Sequence, residues 1–215
     1  MKKIIYCIIL VICLFGCTTS NVYKNVPEYL VKFEGCYGFV VSAELIVTAA
    51  HCTNIKRATT THNQIVQVSL VYSDLYNDIS IYKSDRTILV QQFATFYQGN
   101  KKLGNYYGGC GLYIGTVGRA GMYVNQEFDV LRKDNIVVRR TLLYSLLDIY
   151  SNSYPVFCSG DSGGIFTIDN QVVAMGSLIP DNDDTKYVEH ISIYVVPAKL
   201  IEKAINNYQT GWIGI

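Results

Sequence analysis

Apolar and polar residues alternate with a period of two in several short segments of this chain. The alternation is most regular at 64–72 and 79–82, and shorter runs occur at 28–33, 36–41 and 45–47. A period of two places successive side chains on opposite faces of an extended backbone. The first half of the chain is therefore predicted to consist of short β-strands.

The second half has the same character but contains more glycine and aromatic residues. The segment 106–124 is rich in both, and it predicts turns at Gly108–Gly109 and at 118–121. Another turn is expected at Asp169–Asn170, within a hairpin over 165–176. The remaining strand candidates of this half are 136–144, 171–179 and 189–196.

One segment, 197–208, has the periodicity of an α-helix, and Pro197 stands at its start. Its apolar residues recur at helical spacing at Leu200, Ile201, Ala204 and Ile205. Many short strands with glycine turns, closed by one C-terminal helix, predict an all-β barrel architecture. The residues 209–215 are expected to form a C-terminal tail.

The N-terminus is expected to lie outside the folded domain. A basic start, Met1–Lys3, precedes an apolar stretch of 12 residues, Ile4–Phe15, which is too short to span a bilayer as a stable helix. The stretch leads into Leu-Phe-Gly-Cys at Leu14–Cys17. A small residue directly before a cysteine at this distance from the start resembles the lipobox of bacterial lipoproteins.

The lipobox resemblance implies that a signal peptide, 1–16, is removed and that Cys17 carries lipid. The residues 17–27 would then be a polar tether to the membrane. An ordinary signal peptide with an incidental cysteine is the alternative. In both cases the mature chain is exported, either anchored at a cell surface or periplasmic membrane face or secreted.

Charge and composition narrow the range of partners. Lys and Arg number 18, Asp and Glu number 17, and the formal net charge is +1. The chain has no stripe of basic residues of the kind that binds nucleic acid. Its 18 tyrosines favour strands and half-buried surfaces. We expect no metal and no organic cofactor, and the sequence leaves the oligomeric state open.

Three residues in specific contexts carry candidate chemistry. His51 stands in Val-Thr-Ala-Ala-His-Cys, Asp78 in Asn-Asp-Ile-Ser-Ile, and Ser162 in Cys-Ser-Gly-Asp-Ser-Gly-Gly. Acyl transfer by serine needs a base for the hydroxyl proton, an acid that orients the base, and donors for the oxyanion. Asp74 and Asp85 compete for the role of the acid, but in poorer contexts.

The three motifs closely resemble those of chymotrypsin-like (trypsin-fold) serine proteases of the compact bacterial type. The resemblance covers roughly 28–208 and implies two six-stranded antiparallel β-barrels followed by the helix. It implies a first barrel at about 28–95 and a second at about 100–196.

The same resemblance implies a role for each residue of the candidate site. His51 would be the general base, Asp78 the acid that orients it, and Ser162 the nucleophile. The backbone amides of Gly160 and Ser162 would form the oxyanion hole. Ser177 would support the aspartate of the triad.

The glycine-rich motif also fits a second kind of enzyme. Gly160-x-Ser162-x-Gly164 matches the nucleophile elbow of α/β-hydrolases, which would indicate a lipase or an esterase. That fold orders its triad as serine, acid and histidine, which is not the order found along this chain. Its elbow also leads into a helix, whereas 165–176 has the pattern of a hairpin. We therefore favour the protease.

Four cysteines of the mature domain predict disulfide bonding. Cys36 precedes Cys52 by 16 residues, which is the family spacing of the disulfide at the histidine loop. Cys110 and Cys158 lack the downstream partners that the family would supply. They can bond to each other or remain thiols, and we expect the bond.

The aspartate before the nucleophile, Asp161, departs from the pattern of zymogens. In family members that are activated by a cut, this aspartate is buried against a new N-terminal ammonium. The present chain has no basic cleavage site followed by Ile-Val-Gly-Gly. We expect that Asp161 finds another donor and that no activating cut beyond signal removal is needed.

The residues expected around the specificity pocket are apolar. Val156 stands six residues before Ser162, where trypsins place a carboxylate. Leu178 and Ile179 would line the cleft, and Ile179 stands where many members have glycine. A small or shallow pocket that accepts Ala, Val or Leu is therefore predicted. His190 supports an alternative, because a histidine recognises acidic residues in glutamate-specific members.

Two functions remain in competition at this level. The first is an exported, lipid-anchored serine endopeptidase that acts on protein or peptide substrates. The second is a surface binding or adhesion protein on a protease scaffold, because a fold does not guarantee its activity. The complete set of three motifs favours the enzyme, whereas the narrowed pocket favours the binding protein.

Overall fold

The computed structural model describes residues 26–101, 103–108, 160–177 and 193–211 with their side chains. It describes the backbone of 115–131 and 137–145 and of residue 192. The proposed signal peptide, Cys17 and all but the last two residues of the tether 17–27 lie outside these ranges. No helix in the described part of the chain is long and apolar enough to span a membrane.

The first six strands form a closed antiparallel barrel with the order β1-β2-β3-β6-β5-β4. The barrel closes where β1 pairs with β4, with Val31 opposite Thr60. The strands are β1 (Leu30–Lys32), β2 (Tyr37–Val40), β3 (Leu45–Thr48), β4 (Arg57–Thr60), β5 (Ile65–Asp74) and β6 (Ile79–Ser84).

The next six strands form a second closed antiparallel barrel, with the order β10-β11-β12-β9-β8-β7, and a helix follows it. The predicted all-β, two-barrel fold with one C-terminal helix is confirmed. The elements are β7 (Leu103–Gly108), β8 (Gly115–Leu131), β9 (Val137–Ser145), β10 (Ile165–Ile168), β11 (Gln171–Gly176), β12 (Ser192–Pro197) and α1 (Ala198–Gln209).

One hydrophobic core joins the two barrels and the helix. It includes Phe39 and Ile81 of the first barrel, Ile165 and Val172 of the second, and Ile201 of α1, all essentially inaccessible to solvent. Full burial of each such side chain stabilises the fold by roughly 1.5–3 kcal/mol. Because the core is shared, residues on facing surfaces of the two barrels keep a fixed separation.

The short hairpin between β10 and β11 confirms the predicted turn. Its two loop residues, Asp169 and Asn170, have φ angles of 50° and 62°. A two-residue hairpin with positive φ at both positions is of type I′, which Asp and Asn tolerate. The helix also lies within one residue of its predicted bounds, and Pro197 is its N-cap.

Two features of the sheets differ from the sequence predictions. The turn expected at 118–121 is wrong, because these residues lie inside β8, where Gly118 pairs with Tyr106 and Gly121 with both Leu103 and Tyr144. The hydrogen bonds of β8 to its neighbours β7 and β9 outweigh the preference of glycine for turns at these positions. The strand β4 was not predicted, since Arg57–Thr60 is mostly polar.

Candidate active site

Two neighbouring strands bring His51 and Asp78 together. His51 follows β3 and Asp78 directly precedes β6, and Thr48 pairs with Ser80 in the ladder between these strands. The two side chains therefore lie at the same end of one strand pair, although 27 residues separate them.

The imidazole of His51 is held by the carboxylate of Asp78. Its Nδ1 lies 3.0 Å from Oδ1 and 2.9 Å from Oδ2, and the backbone N–H of His51 donates to Oδ1 at 3.0 Å. The Asp78 side chain is 1% exposed and that of His51 is 32% exposed. An ionised carboxylate only accepts hydrogen bonds, so Nδ1 carries the proton and Nε2 is left as an acceptor.

The ionised form of Asp78 is stabilised at this position. Burial by itself raises the pKa of the carboxyl group, but the hydrogen bond and the charge of His51, together with the hydrogen bond from Ser177, outweigh it. The net effect is a pKa below the ordinary value for aspartate. The imidazole therefore faces a negative charge over the neutral pH range.

Ser162 reaches the same histidine from the second barrel. Its Oγ lies 2.7 Å from Nε2 of His51 and 3.2 Å from the carbonyl oxygen of Ser177. The loop around it is tied to the first barrel, because the N–H of Tyr37 donates to the carbonyl of Ser162 at 2.7 Å. Gly163, with φ of 79°, passes so close to Tyr37 that a Cβ would lie 1.9 Å from its carbonyl oxygen.

Ser177, which directly follows β11, completes the contacts of Asp78. It is buried, and its hydroxyl donates a short hydrogen bond to Oδ2. The structure thus brings His51, Asp78, Ser162 and Ser177 into one connected set of hydrogen bonds.

The predicted oxyanion donors are the backbone amides of Gly160 and Ser162. Gly160 has φ of 104°, a conformation that favours glycine, and the N–H of Gly164 donates to the carbonyl of Asp161 at 2.8 Å. Within the ranges described above, no hydrogen bond engages the backbone amide of Gly160 or of Ser162.

Asp161 is fully buried, directly before Ser162 in the chain. A Cβ on Gly108 would lie 3.1 Å from its Oδ1, so the end of β7 covers the carboxylate closely. Burial, with the nearby charge of Asp161, raises the pKa of Tyr37 to about 12. That Asp161 replaces a zymogen ammonium with another donor stays a prediction.

The disulfide predicted between Cys36 and Cys52 is confirmed, with its Cα atoms 6.4 Å apart. It links the residue before β2 to the residue after His51. Beyond it, on the first barrel, lies a groove of about 1060 Å³ whose lining includes Lys32, Thr53 and His62.

Several predicted residues lie outside the described part of the chain, so the pocket and the second cysteine pair stay predictions. They are Val156, Leu178, Ile179, His190, Cys110 and Cys158. Among the described residues, no group of three His, Cys, Asp or Glu side chains is arranged to hold a metal ion.

One contact of the nucleophile loop has no signature in the sequence. Tyr106, in β7, is fully buried and donates its hydroxyl to the carbonyl of Asp161 at 2.9 Å. Among 18 tyrosines, nothing local distinguishes it. Only the ladder between β7 and β10, in which Tyr106 faces Phe166, brings it to the loop.

No protein-family model matches this sequence, and no curated protein matches it. Solved structures match across most of the chain. The inactive form of Rv3671c from M. tuberculosis is 16% identical with a TM-score of 0.62, over 92% of this chain and 94% of that one. A serine endoprotease from Yersinia pestis is 14% identical with a TM-score of 0.60, over 90% and 67%. The HtrA-type protease AlgW with a tripeptide is 13% identical with a TM-score of 0.62, over 88% and 63%.

Proposed function

We propose that this chain, which has the two-barrel fold of chymotrypsin-like serine proteases, is itself a serine endopeptidase. The observation that carries the proposal is the 2.7 Å distance between Ser162 Oγ and His51 Nε2, with Nδ1 of the same ring held by Asp78. The proteases among the similar structures support a protein or peptide as the substrate.

The reaction follows from the protonation states of the three side chains. His51 accepts the hydroxyl proton as Ser162 Oγ attacks the scissile carbonyl carbon, and Asp78 stabilises the imidazolium that forms. When the tetrahedral intermediate collapses, His51 gives the proton to the leaving amine, and an acyl-enzyme remains. Water then attacks the acyl carbon and gives a proton to His51. The second tetrahedral intermediate releases the carboxylic acid as His51 returns that proton to Oγ, which regenerates Ser162.

The oxyanion of each tetrahedral intermediate would accept hydrogen bonds from the amides of Gly160 and Ser162. Each such donor is worth about 3 kcal/mol in the transition state. The positive φ of Gly160 is consistent with this role, as is the finding that no described residue accepts a hydrogen bond from either amide.

Two finer parts of the proposal derive from the sequence. The apolar residues Val156 and Ile179 support cleavage after small or medium apolar residues. The lipobox-like Leu14–Cys17 supports export, removal of 1–16 and lipid anchoring through Cys17. A profile of cleaved peptides tests the first part, because efficient cleavage after Lys or Arg would contradict it. Metabolic labelling with an alkyne fatty acid, lost in Cys17→Ala, tests the second.

A fluorophosphonate probe tests the enzymatic function directly. We expect the folded protein to be labelled, Ser162→Ala to lose both labelling and peptide hydrolysis, and Ser69→Ala to keep both. Ser69 is a suitable control because it is an exposed serine of β5, on the first barrel. Folded protein that neither reacts with the probe nor cleaves any library peptide would indicate the binding protein instead.

A further inference from the structure

The hydroxyl of Tyr106 and the backbone N–H of Gly164 converge on one acceptor, the carbonyl oxygen of Asp161. The two distances are 2.9 Å and 2.8 Å. A carbonyl oxygen has two lone pairs, so it accepts both bonds at once. Two donors from different parts of the second barrel therefore fix the direction of this single carbonyl.

Two glycines leave the space that the tyrosine hydroxyl fills. A Cβ on Gly164 would lie 2.5 Å from Oη of Tyr106, and a Cβ on Gly176 would lie 2.3 Å from it. On the other side, a Cβ on Gly108 would lie 2.8 Å from the ring. The ring and hydroxyl of Tyr106 thus lie close against the backbone at Gly108, Gly164 and Gly176, where a side chain would collide with them.

The carbonyl of Asp161 and the N–H of Ser162 belong to the same peptide group. A trans peptide is planar, and its C=O and N–H bonds point in opposite directions. Fixing the carbonyl toward the buried Tyr106 therefore aims the N–H of Ser162 away from the protein interior. That N–H is one of the two donors of the proposed oxyanion hole.

We propose that Tyr106 is a positioning residue for the oxyanion hole, acting through the peptide group between Asp161 and Ser162. The inference rests on the proposed serine endopeptidase activity and names the side chain that orients one of its donors. Burial raises the pKa of Tyr106 well above its ordinary value, with the charges of Asp161 and Tyr37 adding to the effect. The phenol is therefore neutral at neutral pH, and its proton is available for the bond.

The test compares two isosteric substitutions in neighbouring residues. Tyr106→Phe keeps the ring and removes the bond to Asp161. Tyr107→Phe removes a buried hydroxyl of the same strand, whose partners are Asn105 and Thr167. For both variants we would measure kcat, KM, the melting temperature and inhibition by a peptidyl trifluoromethyl ketone. Such a ketone forms an oxyanion adduct with the nucleophile.

We expect Tyr106→Phe to lower kcat about 10–100-fold with KM unchanged, less than the 10²–10³-fold loss that follows removal of an oxyanion donor. The inhibition constant of the ketone should rise by the same factor. Tyr107→Phe should leave kcat, KM and the inhibition constant within about twofold of the wild-type values, even if it lowers the melting temperature. An undiminished kcat in Tyr106→Phe, or equal losses in both variants, would overturn the inference.

The design separates this inference from the proposed function. A wild-type protein that neither hydrolyses peptides nor reacts with a fluorophosphonate would contradict the function, whereas an active wild type with an equally active Tyr106→Phe contradicts only the positioning role. If Tyr106→Phe does not fold, 3-fluorotyrosine at position 106 keeps the ring and the hydroxyl, adds one fluorine atom and strengthens the donor. A kcat that changes at constant KM then supports the inference, and an unchanged kcat overturns it.

Discussion

The carboxylate of Asp78 in the first barrel accepts a hydrogen bond from the hydroxyl of Ser177 in the second, 99 residues further along the chain. The same carboxylate holds the His51 ring. The carbonyl oxygen of Ser177 also lies 3.2 Å from Oγ of Ser162. Ser177, which directly follows β11, thus contacts both Asp78 and Ser162 of the proposed triad.

Asp78→Asn should lower kcat by about 10⁴-fold, because an amide that donates to Nδ1 favours the wrong tautomer of His51. The control is Asp74→Asn in the same hairpin, whose carboxylate accepts from the backbone and side chain of Asn77. This variant should keep most of the activity. Steady-state kinetics on a peptide substrate measure both, and equal losses would assign the effect to the hairpin instead of the triad.

Ser177→Ala should reduce kcat by about 10–100-fold, since a hydrogen bond to a charged group contributes about 1.5–3 kcal/mol. Asp78 would keep His51 as a partner but lose the bond that fixes its Oδ2. The control is Ser84→Ala, which removes a buried hydroxyl far from the site, at the end of β6. It should lower the melting temperature without lowering kcat. A fully active Ser177→Ala would contradict the supporting role.

The lowered pKa of Asp78 makes part of the fold stability depend on pH. The ionised group favours the folded state above its unfolded pKa, and this contribution disappears as the pH falls through the lower folded value. Below about pH 4, the unfolding free energy of the wild type should therefore fall more steeply than that of Asp78→Asn. Denaturant titrations at a series of acidic pH values measure the two slopes, and parallel curves would contradict the expectation.

Gly163→Ala should destabilise the fold far more than Gly211→Ala. Both glycines have positive φ, 79° and 69°, so both substitutions strain the backbone by about 1 kcal/mol. At Gly211 a Cβ meets no atom of a described residue within 4 Å, whereas at Gly163 it would collide with the Tyr37 carbonyl. Chemical denaturation should show the difference, and activity should fall only in Gly163→Ala. Equal destabilisation would mean that the loop relaxes away from Tyr37 at little cost.

The motifs around His51, Asp78 and Ser162 allowed the site to be predicted, because its chemistry needs particular residue types in particular local contexts. The alternation of apolar residues likewise predicted most strands of the first barrel. The disulfide between Cys36 and Cys52 followed from its spacing within the family pattern. These features are local, or they are tied to motifs that are local.

Features that depend on pairing between strands distant in the chain could not be predicted from the sequence. The mostly polar strand β4 is extended because β1 and β5 pair with its two edges. The glycines of β8 are extended because β7 and β9 flank them. The role of Tyr106 could not be predicted either, because its contact with Asp161 spans 55 residues and requires two glycines elsewhere in the chain. The pattern of a single segment contains none of this information.

The division of the site between the barrels has a consequence for the newly made chain. His51 and Asp78 are within the first 78 residues, but Ser162 comes 111 residues after His51. Contacts of such long sequence separation form late, since the intervening chain must be ordered first. A nascent or truncated first barrel therefore contains the proposed base without the proposed nucleophile. Under the proposed function, the ability to cut protein would arise only when the second barrel closes, and this would limit self-digestion during synthesis.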